Sequence, residues 1–280
     1  MDFDLQGLAN ALSAKAYAFP HNETGVHLVD QSDNELYEEH RAGSHNLNQW
    51  LISFDAREST PVAYLWDKNI RYLYCLDQDN ALQHYQYSQT DQDWISIRLS
   101  GDNKPVVVHG NTRLSGCIAS PDSQIVFFQD PSGQLRGARV QSGRAEPLST
   151  PISEPSKLGT PHFAVLREDL LRLWYLAADN QVHCLTQARG SDDGWRDHPV
   201  PGAAFGSDKI DNFTIGIDEN GSVQIIVLSS EGKVIRVDHQ GQRTALGTIV
   251  DGMFRPASSA ENLAQFVADV CRAAGKVLKK

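Results

Sequence analysis

Ile70-Arg71-Tyr72-Leu73-Tyr74-Cys75-Leu76 is followed by Asp77-Gln78-Asp79-Asn80 and then by Ala81-Leu82-Gln83-His84-Tyr85-Gln86-Tyr87. Both flanking runs alternate in side-chain character and are rich in aromatic residues, the pattern of strands with two distinct faces. The Asp-Asn pair between them tolerates the positive φ that a tight hairpin demands. The stretch therefore reads as a β-hairpin.

The same plan recurs at 26–41, 125–140, 171–187 and 223–238, broken at Asp33-Asn34, Ser132-Gly133, Asp179-Asn180 and Glu231-Gly232. Counted from the first residue of each turn, the five hairpins are 46, 53, 47 and 52 residues apart. A period near fifty built of strands is the signature of a propeller, because one small twisted sheet cannot bury both faces until others stack around an axis with it. After four of the hairpins comes another short run, at 50–54, at 94–98, from Trp195 onward and at 244–250. Before them lie runs rich in small residues, at 16–19, 62–66, 114–120, 163–166 and 213–217. Ala63, Gly116, Cys117, Ala119, Ala164 and Gly216 in those runs suit inner strands, where the backbones converge. The expectation is an all-β, five-bladed β-propeller of four-stranded blades over 13–252; six blades with one degenerate is the alternative.

Two helices are expected outside the repeat. Ser258-Ser259-Ala260-Glu261 is a capping box, after which apolar residues keep helical spacing through 258–279. A shorter helical segment, 1–12, carries Leu5, Leu8, Ala9 and Leu12 on one face. Packing of the C-terminal helix on the propeller is the bland reading, and a homodimer contact the sharper one.

With 35 acidic against 25 basic residues the formal charge is −10, which argues against nucleic acid and anionic lipid as partners. No apolar run is long enough for a membrane span, and Asp2 and Asp4 stand where a signal peptide would be positive. Cys75, Cys117, Cys184 and Cys271 have no paired spacing and read as buried small hydrophobes in a reducing compartment, so a cytoplasmic protein is expected.

The segments "RLWYLAADNQVHCLTQ…GW" and "NIRYLYCLDQDNALQHYQY…DW" resemble the repeat of the fungal fucose-specific lectins, over roughly residues 15–250. That resemblance implies a β-propeller with sugar sites between neighbouring blades. It also implies, in each functional repeat, an Arg in the first hairpin strand, a Glu four residues after the turn and a Trp further on. Arg and Glu would hold sugar hydroxyls by charge-assisted bonds, and the ring would stack on the apolar sugar face. Unit one has Glu38 and Trp50, with Val26 in the Arg register; unit two has Trp94 and His84, with Arg71 displaced by one residue and so turned to the opposite strand face. Unit four has Arg172 and Trp195, with Cys184 in the carboxylate position. Units three and five, with Ile125 and Gly137 and with Gln224 and Arg236, have no Trp. No single repeat keeps all three, which predicts weak fucose binding or none.

Motifs for a metal site, a phosphate loop or a nucleophile are absent, so no cofactor and no metal is expected. What remains is the mouth of the channel. Residues at or before the inner strands would ring it: Lys15, Thr60, Arg113, His162, Asp211 and Asn212, with Tyr17, Tyr64, Trp66 and Phe163 as an apolar wall. Size and fold also resemble the hetero-Diels–Alder enzymes of fungal tropolone-sesquiterpenoid pathways. The first functional reading is thus a small-molecule-binding, lectin-like propeller acting as a cyclase of fungal secondary metabolism. Its work would be positioning the reacting ends and polarising a carbonyl through Arg113 or His162, with Asp211 and Asn212 beside them. The alternatives are a carbohydrate-binding protein using Glu38, Trp50, Trp94, Arg172 and Trp195, and a protein-interaction propeller.

Overall fold

A computed structural model describes residues 14–18, 25–42, 45–67, 70–101, 104–148, 150, 152, 155–167, 169–188, 194–217, 222–251 and 253–257. The helices expected at 1–12 and 258–279 lie outside the described residues.

Five antiparallel sheets follow one another along the chain, each built from consecutive strands. Blade 1 holds β1 (Ala16–Ala18), β2 (Val26–Ser32), β3 (Glu35–Ala42) and β4 (His45–Ser53). Blade 2 holds β5 (Ala63–Asp67), β6 (Ile70–Leu76), β7 (Leu82–Ser88) and β8 (Asp93–Ile97). Blade 3 holds β9 (Ser115–Ser120), β10 (Ser123–Gln129), β11 (Leu135–Gln141) and β12 (Arg144–Leu148). Blade 4 holds β13 (His162–Arg167), β14 (Leu170–Leu176), β15 (Gln181–Ala188) and β16 (Arg196–Ala204). Blade 5 holds β17 (Ile210–Ile217), β18 (Val223–Ser229), β19 (Lys233–Val237) and β20 (Arg243–Val250), and adds β21 (Met253–Pro256), which the sequence pattern did not foreshadow. The five-bladed, four-stranded propeller read from the period is the observed architecture.

Strand alternation explains why the sheets stack. On β6, Leu73 and Cys75 pack with Val29 and Leu36 of blade 1, while Tyr74 and Leu76 on the other face pack with Val126 and Phe128 of blade 3. Blades 3 and 4 meet through Phe127, Leu173 and Leu185, and blades 4 and 5 through Trp174, Leu176 and Val227. Each such buried side chain contributes about 1.5–3 kcal/mol relative to exposure. Side-chain amides then tie the hairpins of blades 1, 3 and 4 to the segment that enters the next blade. Gln31 Nε2 donates to Arg57 O at 2.8 Å, Gln129 Nε2 to Lys157 O at 2.9 Å, and Asn180 Nδ2 to Asp208 O at 2.6 Å.

The hairpin turns carry positive φ where the turn chemistry requires it: Asp33 53°, Asn80 60°, Gly133 83°, Asn180 67° and Gly232 75°. Blade 1 differs from the rest in one respect. Its turn has two residues, with Ser32 facing Glu35, whereas Leu76 faces Leu82 and Leu176 faces Val182 across longer loops. Any register counted across the turn is therefore shifted by one residue in blade 1.

Crowding at the inner strands is real at Gly116. A Cβ there would lie 2.6 Å from Ile125 O and 3.3 Å from Leu65 Cδ2 of the neighbouring blade. Gly116→Val is expected to destabilise the chain by about 2 kcal/mol or more through overpacking. Urea unfolding checks this, and unchanged stability would show that the inner strands have slack.

Candidate functional site

The carboxylate of Glu38 sits on β3 with no solvent exposure, on the face of blade 1 turned to blade 2. Arg71 is one residue out of the Arg register of its own blade, and strand alternation turns it back toward blade 1. There its Nη1 donates to both Glu38 oxygens, at 2.5 and 2.7 Å. Trp94 Nε1 donates to Glu38 Oε2 at 3.0 Å, Tyr64 OH to Oε1 at 2.5 Å, and His27 Nδ1 to Oε1 at 2.7 Å. Three residue types that no single repeat holds together, Arg, Glu and Trp, thus meet across the seam between two repeats.

Aromatic rings enclose the ion pair. The guanidinium carbon of Arg71 lies 3.3 Å from the ring centre of Tyr87, 5.2 Å from Trp66, 5.3 Å from Trp50 and 5.7 Å from Trp94. His27 stacks on His40 with centroids 4.3 Å apart and meets Trp66 edge-on at 4.5 Å. Trp50 and Trp66 are only partly buried, so the wall of the cage reaches solvent.

Electrostatics follow from this packing. Burial alone would raise the Glu38 pKa, but the bond from His27, the charge of Arg71 and the bond from Tyr64 outweigh it and hold the carboxyl below its usual value. Burial likewise works against the charge on Arg71, and Glu38 more than restores it. The Tyr64 hydroxyl is pushed well up by burial and by the carboxylate beside it, so it remains a donor.

His27, not Val26, occupies the place where the resemblance expects arginine. The short turn of blade 1 shifts the count by one, and Val26 points to the other face of the strand. The equivalents of Glu38 in the other blades are His84, Gly137, Cys184 and Arg236, each paired across its hairpin as Glu38 is with Val29. Only blade 1 supplies a carboxylate at this position.

The other sequence-derived residues disperse. Arg172, paired with Val165, faces blade 5, whereas Trp195 packs against the core between blades 3 and 4, so the two lie on opposite sides of their sheet. Tyr64 and Trp66, expected in the channel wall, belong to the cage around Arg71. Phe163 packs against the core between blades 4 and 5, and Tyr17 OH donates to Thr214 Oγ1 at 2.8 Å. At the channel mouth, Lys15 Nζ donates to Thr60 O at 3.3 Å, and Arg113 Nη2 donates to Asp211 O at 3.2 Å. Asn212 Oδ1 accepts from the Phe213 N–H at 2.9 Å. His162 is spent within the fold: Nε2 donates to Arg113 O at 3.1 Å, so Nδ1 accepts from Ser115 Oγ at 2.6 Å. Burial lowers its pKa to about 4, and it is neutral at physiological pH.

Among the described residues no group of three or more His, Cys, Asp or Glu side chains converges in a way that would hold a metal ion. A groove of about 320 Å³ lined by Ile70, Gln86, Ile95 and Ile97 among others lies on blade 2, and these four residues belong to the face turned to blade 3, opposite the cage.

Fold and seam together define a five-bladed β-propeller with an aromatic-lined ion pair between its first two blades. No family model and no curated protein matches the chain by sequence. Its fold does match solved fungal lectins. AofleA from Arthrobotrys oligospora aligns with a TM-score of 0.64 at 16% identity, over 83% of this chain and 71% of that one. The Aleuria aurantia lectin, as its N224Q mutant in complex with alpha-methyl-L-fucoside, aligns with a TM-score of 0.59 at 19% identity, over 84% of this chain and 77% of that one. Another structure of the Aleuria aurantia lectin, described as a six-bladed β-propeller with a novel fucose recognition mode, aligns with a TM-score of 0.59 at 16% identity, over 88% and 78%. The fold-level resemblance to fungal fucose-specific lectins stands, with five sheets here against six blades there.

Proposed function

We propose that the chain is a carbohydrate-binding propeller whose sugar seat is the seam between blades 1 and 2. The observation that carries this reading is the meeting of Glu38, Arg71 and Trp94 across the seam inside a wall of aromatic rings. Fucose-binding lectins among the structural neighbours support it at the level of fold. Glu38 is a positioning residue: its bonds from His27, Tyr64, Arg71 and Trp94 hold the donors in place. A guanidinium has five N–H donors, and the bonds to Glu38 leave from Nη1 alone, so this reading assigns donors among the others to sugar hydroxyls. The part-buried indoles of Trp50 and Trp66 offer faces for the apolar side of the ring.

A cycloaddition enzyme at the channel mouth gains no support from the geometry. Both His162 nitrogens are already bonded, and Arg113 is exposed rather than held in a dry cavity where a donor polarises a carbonyl strongly.

Glycan-array screening followed by calorimetry tests the reading. A sugar is expected to bind with one site per chain, since the other seams lack the carboxylate. Trp50→Ala is expected to weaken binding roughly 30-fold, the loss typical of removing an aromatic anchor. An array without hits, or a Trp50→Ala protein that binds as the parent does, would overturn it.

A further inference from the structure

At the channel mouth three cations come together, one from each of the first three blades. Lys15, at the entrance to β1, is half-buried and reaches Thr60 O. Thr60 closes the turn that carries Arg57, its N–H donating to Arg57 O at 3.0 Å, and Arg57 Nη1 donates to the Asn80 amide oxygen. Arg113 extends to the carbonyl of Asp211, the residue expelled from the β17 ladder by the bulge between Ile210 and Asn212. The mouth is therefore spanned from blade 3 to blade 5.

All three cations give their hydrogen bonds to neutral oxygens. Among the described residues none of them forms an ion pair, although the chain has 35 acidic residues against 25 basic ones. The charges also sense one another. Burial loosens the Lys15 proton most; Asp30 pulls the other way, and Arg113 and then Arg57 add to the loosening. Burying part of a charge without a carboxylate in direct contact is unfavourable, and so is crowding like charges around one opening. An oxyanion seated among them would relieve both, because it offers charge-assisted bonds stronger than those to carbonyl and amide oxygens. His162 beneath Arg113 is neutral, and it fixes the Arg113 backbone through its Nε2 bond.

We propose that this mouth is an anion seat, in which Lys15, Arg57 and Arg113 hold the oxyanion group of a small ligand, a carboxylate or a phosphate. The seat shares no residue with the seam between blades 1 and 2, so it stands or falls independently of the carbohydrate reading. Its ligand arrives from the axis of the ring, where converging positive charge in an acidic protein focuses the field on the opening.

Thermal unfolding of the full chain in sodium phosphate, sodium citrate and sodium chloride at matched ionic strength tests the proposal, with Lys233→Met as a control cation outside the mouth. Phosphate or citrate is expected to raise the midpoint above that in chloride by about 3 °C at roughly tenfold excess over Kd. A response to phosphate alone marks a phosphate ester as the ligand class, and one to citrate alone a carboxylate. The shift is expected to vanish in Arg113→Gln, whose exposed side chain can be lost without disturbing the core, and in Lys15→Met. An equal response in the parent, the control and both mouth variants, or no response beyond that to chloride, would overturn it.

Discussion

Arg71→Met and Glu38→Gln are each expected to destabilise the chain by about 3–5 kcal/mol, the cost of leaving one partner of a buried ion pair uncompensated. Glu38 has no exposure, and Arg71 has 6% of its side chain exposed, so hydration compensates little for the lost partner. Four groups donate to this carboxylate, and removing its charge weakens every one of those bonds. The double variant is expected to lose much less than the sum of the two singles, because it strands neither charge. Urea unfolding of the four proteins closes the cycle. A coupling energy below about 0.5 kcal/mol would mean that the two side chains do not act as a pair. Removing Arg71 also takes away the cation stacked on Tyr87, so the Trp and Tyr fluorescence of the cage should change even where the protein stays folded.

The propeller was legible because its signals are local. Turn residues that accept positive φ recur at every hairpin, and the runs beside them alternate in character, so blade number and strand order could be counted along the chain. The fifth strand of blade 5 was not, since Met253, Phe254, Arg255 and Pro256 are too few to show a period and become a strand only by pairing with β20. The seam was only half legible. Glu38, Trp50 and Trp94 stand out in the sequence, but a pattern confined to one repeat has no arginine in register with Glu38, while the geometry joins Glu38 to the arginine of the next repeat. The decisive sign was already in the sequence: a one-residue displacement that turns Arg71 to the other face of its strand. Reading that face as the one toward blade 1 requires knowing which sheet stacks where, and this is tertiary information. Val26 entered the register for a related reason, since the two-residue turn of blade 1 breaks a count that holds elsewhere.

Acidification from pH 7 to pH 5 is expected to destabilise the chain by about 4 kcal/mol, through two histidines that the fold keeps neutral. Burial lowers the pKa of His84 and of His162 from 6.5 to about 4. Between those values the unfolded chain binds protons that the folded chain refuses. The stabilisation is thus complete above pH 6.5 and is lost as the pH falls toward 4, at about 1.4 kcal/mol per pH unit for each histidine. Glu38 acts in the same direction over a lower range. Its folded pKa is depressed, so its contribution is present above the ordinary carboxylate value and fades only as the pH falls below it. His84 is the more telling of the pair. It stacks on Tyr74 at 4.6 Å, and neither of its ring nitrogens has a hydrogen-bond partner among the described residues, so nothing but its ring shape serves the packing. His84→Phe should therefore retain stability at pH 7 while removing about half of the loss between pH 7 and pH 5. Thermal midpoints recorded across that range decide the matter. An unchanged pH profile in His84→Phe would mean that the imidazole is protonated, or finds a partner, within the fold.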